Sequence, residues 1–229
     1  MTGIKAVIFD LDNTLVSRKL AFRSFAEDFV HEHLAAMAAP DSLERMIAYM
    51  IRTDNNGYCV RRDFYSDLIE KWRLGSVTAR QLTDAHPSVF PKYTTLDTDT
   101  PEVLRVLAPK YKLGIITNGS SASQNGKIDF VGLRDKFQAV TVSDDVGVGK
   151  PDRRIFEISC AELDVKPEEA VYIGDSYEKD VQGAVNAGLR AVWYAGEQEN
   201  IYRYEPAVRR LADVIAIVER EIFDETPTC

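Results

Sequence analysis

The amino-acid sequence predicts an α/β protein, a doubly wound parallel sheet with an all-helical segment inserted after the first strand. Three observations carry that reading. A short apolar run, "IKAVIF" at 4–9, ends directly in Asp10. About seventy residues follow whose apolar positions recur only at helical spacing. Beyond Leu96, strand-like and helix-like stretches alternate.

The run at 4–9 shows no polar alternation, as expected of a central strand covered on both faces. In the insertion, Phe22, Phe25, Ala26 and Phe29 share a helical face, as do Leu43, Met46, Ile47, Met50 and Ile51. Phe64, Leu68 and Trp72 mark a third helix, and Val77 with Leu82 a shorter fourth. The expected division is therefore an α/β core over 1–16 and 95–229, with a helical domain over 17–94. In the second part of the core, "KLGIIT", "FQAVTV", "EAVYIG" and "LRAVWY" read as strands. "SASQNGKIDFVG", "PDRRIFEISCAEL" and "EKDVQGAVNAG" read as the helices between them, the second opened by Pro151 at its first position and the third closed by Gly188. Gly126, following Asn125, weakens the first of these and predicts a helix that starts late or is mobile. An amphipathic helix through Leu211, Val214, Ile215 and Val218 completes the pattern. Neither an internal repeat nor a low-complexity segment is apparent.

At 229 residues, 45% hydrophobic and 28% charged, the chain has the composition of a globular protein with a sizeable core. Its net charge of -8 argues against a nucleic-acid polymer as partner, which needs a basic surface, although a locally cationic pocket can still hold a small phosphate. Apolar stretches such as "VIAIV" are too short to span a bilayer, and "MTGIKAVIFD" lacks the basic start and cleavage site of a secretory signal. Cys59, Cys160 and Cys229 are odd in number and lack metal-like spacing, which suits a reducing compartment. The expectation is a cytoplasmic protein that does not bind membranes; the sequence is silent on oligomeric state.

In doubly wound sheets ligands bind beyond the carboxyl ends of the strands. Asp10, Asp12, Thr117, Asn118, Asp175 and Asp180 each follow an expected strand or open the helix behind it. In "VIFDLDNTLV" two carboxylates stand one residue apart after an apolar strand, and their repulsion calls for a cation or a shared proton. In "GIITNGS" a hydroxyl, an amide and free backbone N–H groups coincide at a strand-to-helix junction, a cradle suited to phosphate. In "GVGKPD" the proline holds Lys150 extended at a helix start, where its charge can neutralise phosphate and a carboxylate. In "VYIGDSYEKD" Asp175 and Asp180 add hard oxygen ligands of the kind magnesium prefers. Four aspartates against one lysine leave a charge deficit that a divalent cation or protonation must offset.

These four elements, in this order, resemble the haloacid dehalogenase (HAD) superfamily, in the branch with a helical cap inserted after the first strand. The resemblance covers 1–16 and about 95–229, and extends to "VGVGKPD", "GDSYEKDVQGAVNAGL" and "AVWY". It implies a Rossmann-like core and a magnesium-dependent phosphatase acting on a small phosphorylated metabolite. By the same resemblance Asp10 is the nucleophile that becomes an aspartyl-phosphate, and Asp12 is the acid that protonates the leaving alcohol and then activates water. Thr117, Asn118 and Lys150 bind the phosphoryl group. Mg2+ is held by Asp10, the Asp12 carbonyl and Asp175, while Asp180 orients Lys150 or a metal-bound water. This chain carries Arg153 where members often have proline, a change expected to alter a helix surface only.

Other activities share the fold. A phosphomutase would keep all these residues. A haloacid dehalogenase would need neither Asp12 nor Asp175, and a non-catalytic binding protein would be expected to lack at least one of Asp10, Asp12, Lys150 or Asp175; this chain has all four. Substrate choice is expected to reside in the cap. There Asn55, Asn56 and Gly57 break the helical pattern just before Tyr58, Arg61 and Arg62, which are candidate specificity residues, with Arg18 and Lys19 as a second pair. His31, His33 and His86 form no metal-like group and read as surface or packing residues.

Overall fold

The computed structural model describes residues 3–34 and 40–221. The chain divides into two compact units, with boundaries between Ser17 and Arg18 and between Thr95 and Leu96. The second unit comprises α1 (Arg18–Leu34), α2 (Pro40–Asp54), α3 (Arg61–Trp72) and α4 (Ala79–Val89). Phe22, Phe25, Phe29, Met50, Phe64 and Leu68 fill its core. Ile51, expected on the same face as Met50, is 37% exposed, because neighbouring helical residues point about 100° apart. Thr78 and Gln81 exchange side-chain and backbone hydrogen bonds and so start α4. His86 is buried, its Nδ1 2.7 Å from the Tyr65 hydroxyl and its ring stacked on Phe90, which is a packing role.

The first unit is a parallel sheet. Its strands are β1 (Ala6–Phe9), β2 (Lys112–Thr117), β3 (Ala139–Val142), β4 (Ala170–Gly174), β5 (Arg190–Tyr194) and β6 (Ala207–Val208). Their order is β3-β2-β1-β4-β5-β6, and every neighbouring pair is parallel. The central strand β1 sets Phe9 beside Ile115 of β2 and Ile173 of β4. Successive strand residues face opposite ways, and two cores result. Val7, Phe9, Ile115 and Ile173 pack with apolar residues of α5 (Thr100–Leu107) and α6 (Ser121–Phe130). Following the short helix α7 (Ser143–Val146), α8 (Arg153–Glu162) covers the other face with Ile155 and Phe156 against Ile8, Ile116 and Tyr172. A π-helical turn over Tyr177–Gln182 leads into α9 (Gly183–Asn186), and α10 (Val214–Arg220) joins the first face through Val214 and Val218. No helix among the described residues is long and apolar enough to cross a membrane.

Several sequence expectations need correction. The helix after Lys150 starts at Arg153, not at Pro151, because the Asp152 side chain accepts the Arg154 N–H and takes the capping position. Gly126 does not delay α6, which begins at Ser121. There the Ser121 N–H donates to Asp144, and Asn125 bonds back to the Ser121 carbonyl. The expected regular helix at 178–188 opens instead with the π-helical turn. The sequence reading also passed over α5, α7 and the two-residue β6. Cys229 lies outside the described residues, and Cys59 and Cys160 are free thiols.

Candidate active site

The parallel sheet brings Asp10, Thr117 and Asp175 to one edge, because each stands at or just past the carboxyl end of β1, β2 or β4. The Asp10 N–H donates to the Ile173 carbonyl at 2.8 Å, extending the ladder one step and fixing the residue's direction. Its carboxylate meets the Lys150 ammonium at 2.5 Å. Lys150 also reaches Asp180 at 2.7 Å and donates to the Tyr172 hydroxyl at 2.8 Å. An ammonium has three donors, and here all three have protein partners. Asn118 positions the lysine from behind. Its amide donates to the Lys150 carbonyl (2.9 Å) and its side-chain oxygen accepts the Lys150 N–H (2.8 Å). The Asn118 side chain, expected on phosphate, is thus bonded to the Lys150 backbone.

Asp180 is buried and fully engaged. Lys150 and the Tyr172 hydroxyl lie at one oxygen, and the Ser176 N–H donates to the other at 2.9 Å. The π-helical turn places it there, in line with the use of such turns at functional sites. Asp175 stands beside this group, with its backbone carbonyl accepting the Trp193 indole N–H at 3.0 Å.

Burial and crowding dominate the electrostatics. Burial pushes Asp10 up to about 7, against the pull of Lys150 and with a further push from Asp180. Asp175 is pushed up to about 8 by burial and then by Asp10 and Asp180. Burial alone would lower the Lys150 ammonium, but Asp10 and Asp180 outweigh it and hold the lysine charged. Carboxyl oxygens of Asp10, Asp175 and Asp180 all lie within 4.8 Å of one another. An all-oxygen donor set in which Asp10 and Asp175 resist ionisation fits a hard divalent cation, which would restore the charge of those two.

Asp12 has its own partners, which the sequence reading missed. The Lys127 ammonium sits 2.8 and 2.7 Å from its two oxygens, and the Gln124 amide donates to Oδ2 at 2.9 Å. Gln124 also donates to the Thr117 hydroxyl at 2.5 Å. Four aspartates therefore face two lysines, Lys150 and Lys127, and not one. The only sequence signal was that Gln124 and Lys127 are polar residues on the helix face that also carries the buried Ile128.

In the helical unit, Asp54 gathers two of the candidate cap residues. Arg18 and Arg61 pair with it at 2.8 and 2.9 Å, and the Gly57 N–H donates to it at 2.9 Å. Arg62 and Lys19 are exposed, and Tyr58 is 59% exposed.

Residues 4–188 match the haloacid dehalogenase-like hydrolase family. Over 198 residues the chain is 31% identical to a glyceraldehyde 3-phosphate phosphatase of Methanopyrus kandleri, covering 82% of this chain and 83% of that one. It is 33% identical to a phosphoserine phosphatase of Thermus thermophilus, over 77% of this chain and 69% of that one. Among solved structures it is similar to a HAD phosphatase from Thermococcus onnurineus, with a TM-score of 0.65, 28% identity, and 94% and 98% of the two chains covered.

Proposed function

The chain belongs to the haloacid dehalogenase-like hydrolases, as a phosphoric monoester hydrolase, and from that premise we propose a magnesium-dependent phosphatase that works through an aspartyl-phosphate on Asp10. The observation that carries the proposal is the buried cluster in which Lys150 joins Asp10 to Asp180, with Asp175 alongside. A carboxylate fixed by a strand end and one ammonium is a directed nucleophile, and its attack on phosphorus divides hydrolysis into two easier displacements.

Asp12 protonates the departing alcohol and later takes the proton of the attacking water. Thr117 and the N–H groups ahead of α6 receive the phosphoryl oxygens. Lys150 contributes the charge it holds beside Asp10, exchanging one of its three hydrogen bonds as phosphate arrives. Asp10, the Asp12 carbonyl and Asp175 would hold Mg2+, with Asp180 orienting Lys150. When bound, the ion supplies positive charge that favours ionised Asp10 and offsets that of the phosphate. The helical unit serves as the cap and selects the substrate, a small metabolite. The free thiols Cys59 and Cys160 suit a cytoplasmic setting.

The test is a panel of phosphorylated metabolites, headed by glyceraldehyde 3-phosphate and phosphoserine, read by released phosphate with Mg2+ and with excess chelator. Metal-dependent release from at least one small monoester is expected. Activity that persists in chelator, or halide release from 2-haloacids in place of phosphate release, would overturn the proposal.

A further inference from the structure

We infer that Lys127 and Gln124 are positioning residues for the acid–base step, a two-pronged grip that fixes the Asp12 carboxylate. This rests on the phosphatase reading above. The two residues stand three apart on α6, so they project from one face. Both are buried, and both reach the same carboxylate. An ammonium with 5% side-chain exposure is costly to bury without a partner, and it pairs with Asp12, 115 residues earlier in the chain.

The second prong has a further connection. Gln124 donates from one amide nitrogen to Asp12 and to Thr117, so a single side chain ties the acid–base carboxyl to the end of β2. Space for it is provided by Gly119. A Cβ there would lie 3.0 Å from the Gln124 side chain, and the backbone at φ +149° already disfavours any other residue. The glycine of "TNG" thus makes room for the grip.

Asp12 itself needs such support. It sits on a tight turn after β1, where Asn13 is left-handed at φ +61°, and its side chain keeps 21% exposure. Unrestrained, a carboxyl on a turn samples several rotamers, and a misplacement of about 1 Å can cost roughly a hundredfold in rate. The grip selects one rotamer and leaves the acid aligned with the leaving oxygen.

Lys127→Met and Asp12→Asn, alone and combined, test this with Mg2+ on a series of aryl phosphates running from 4-nitrophenyl to phenyl phosphate. The series varies the leaving group at nearly constant shape. Loss of acid help hurts the poorest leaving group most. Asp12→Asn should steepen the dependence of kcat/KM on leaving-group acidity. Lys127→Met should steepen it in the same sense, losing about tenfold more on phenyl than on 4-nitrophenyl phosphate, and should add almost nothing in the Asp12→Asn background. If Asp12→Asn steepens the series while Lys127→Met lowers all esters equally, or the two losses simply add, the grip is refuted and the phosphatase reading stands. If Asp12→Asn itself leaves the slope unchanged, the assignment of Asp12 fails and this inference with it. Should Lys127→Met not fold, Gln124→Leu carries the same comparison with the same outcomes.

Discussion

Asp180 occupies the space that a side chain on Gly174 would need: a Cβ at Gly174 would lie 2.5 Å from the Asp180 Cγ. The last residue of β4 is glycine because the carboxylate that orients Lys150 folds back over it. Gly174→Ala should therefore displace Asp180 and, through it, Lys150. Overpacking of this kind costs about 1–3 kcal/mol, and turnover should fall at least about tenfold because the ammonium leaves its place beside Asp10. Thermal melting and phosphate release measure the two effects; an alanine variant with unchanged kcat would show that Asp180 does not govern the lysine.

Asp10→Asn should abolish turnover, with a loss of about a thousandfold or more, since the amide keeps the shape and removes the nucleophile. The fold should survive, because Lys150 retains Asp180 and Tyr172 as partners. Purified variant protein that still releases phosphate at a tenth of the parent rate would end the case for a covalent intermediate on Asp10.

Much of this was legible in the sequence. Asp10 and Asp175 directly follow apolar strands and Thr117 ends one, so the parallel strand direction sets all three at one sheet edge, while Lys150 was marked by the proline after it. Lys127 was not legible. It lies in mid-helix, ten positions beyond Thr117, and only the winding of α6 turns it toward Asp12. Tyr172 was hidden for a different reason. As one more apolar-looking strand residue it reads as core, yet its hydroxyl lies against Lys150 and Asp180. The π-helical turn escaped because its single extra residue leaves the apolar pattern of "EKDVQGAV" helix-like. Pairing of Asp54 with Arg18 and Arg61 joins positions 36 and 7 residues apart, separations that no local pattern marks.

Metal-free protein should lose stability as pH rises from about 5 to 8. Asp10 and Asp175 have folded values raised from 3.8 to about 7 and about 8, so the folded state binds more protons than the unfolded one between those limits. Their favourable contribution is complete below the unfolded value and disappears as pH climbs through the folded ones. Carboxyls shifted down, such as Asp99 and Asp152, act at lower pH and leave this window alone. Melting in chelator should show the decline, and Mg2+ should raise the melting temperature more at pH 8 than at pH 5.5. An equal Mg2+ effect at both values would argue that neither aspartate binds the ion.

Metal identity should matter to the rate more than to binding. Calcium takes more ligands at longer distances than magnesium. It should therefore bind the carboxyl cluster and still support phosphate release poorly, because a shifted Asp10 loses its approach to phosphorus. Comparable kcat with the two ions, after exhaustive chelation, would contradict a placement role for the metal.

Among the arginines of the helical unit, support and recognition fall to different residues and can be separated by substitution. Asp54 is 1% exposed and satisfied by Arg18, Arg61 and the Gly57 N–H. Arg61→Ala removes one of two cations from a buried carboxylate, at a cost of about 1–3 kcal/mol, and should lower the melting temperature. Arg62 is exposed, so Arg62→Ala should melt like the parent. If the stretch from Tyr58 to Arg62 reads the substrate, Arg62→Ala should still lower kcat/KM for the best metabolite of the panel. It should barely affect 4-nitrophenyl phosphate, which offers few groups to recognise. Arg61→Ala cannot make that distinction alone, because a loosened Asp54 would disturb the whole stretch. Equal kcat/KM for parent and Arg62→Ala on every metabolite would remove Arg62 from recognition. Arg61 would then stand as a partner that holds Asp54, and specificity would be sought at Lys19 and Tyr58.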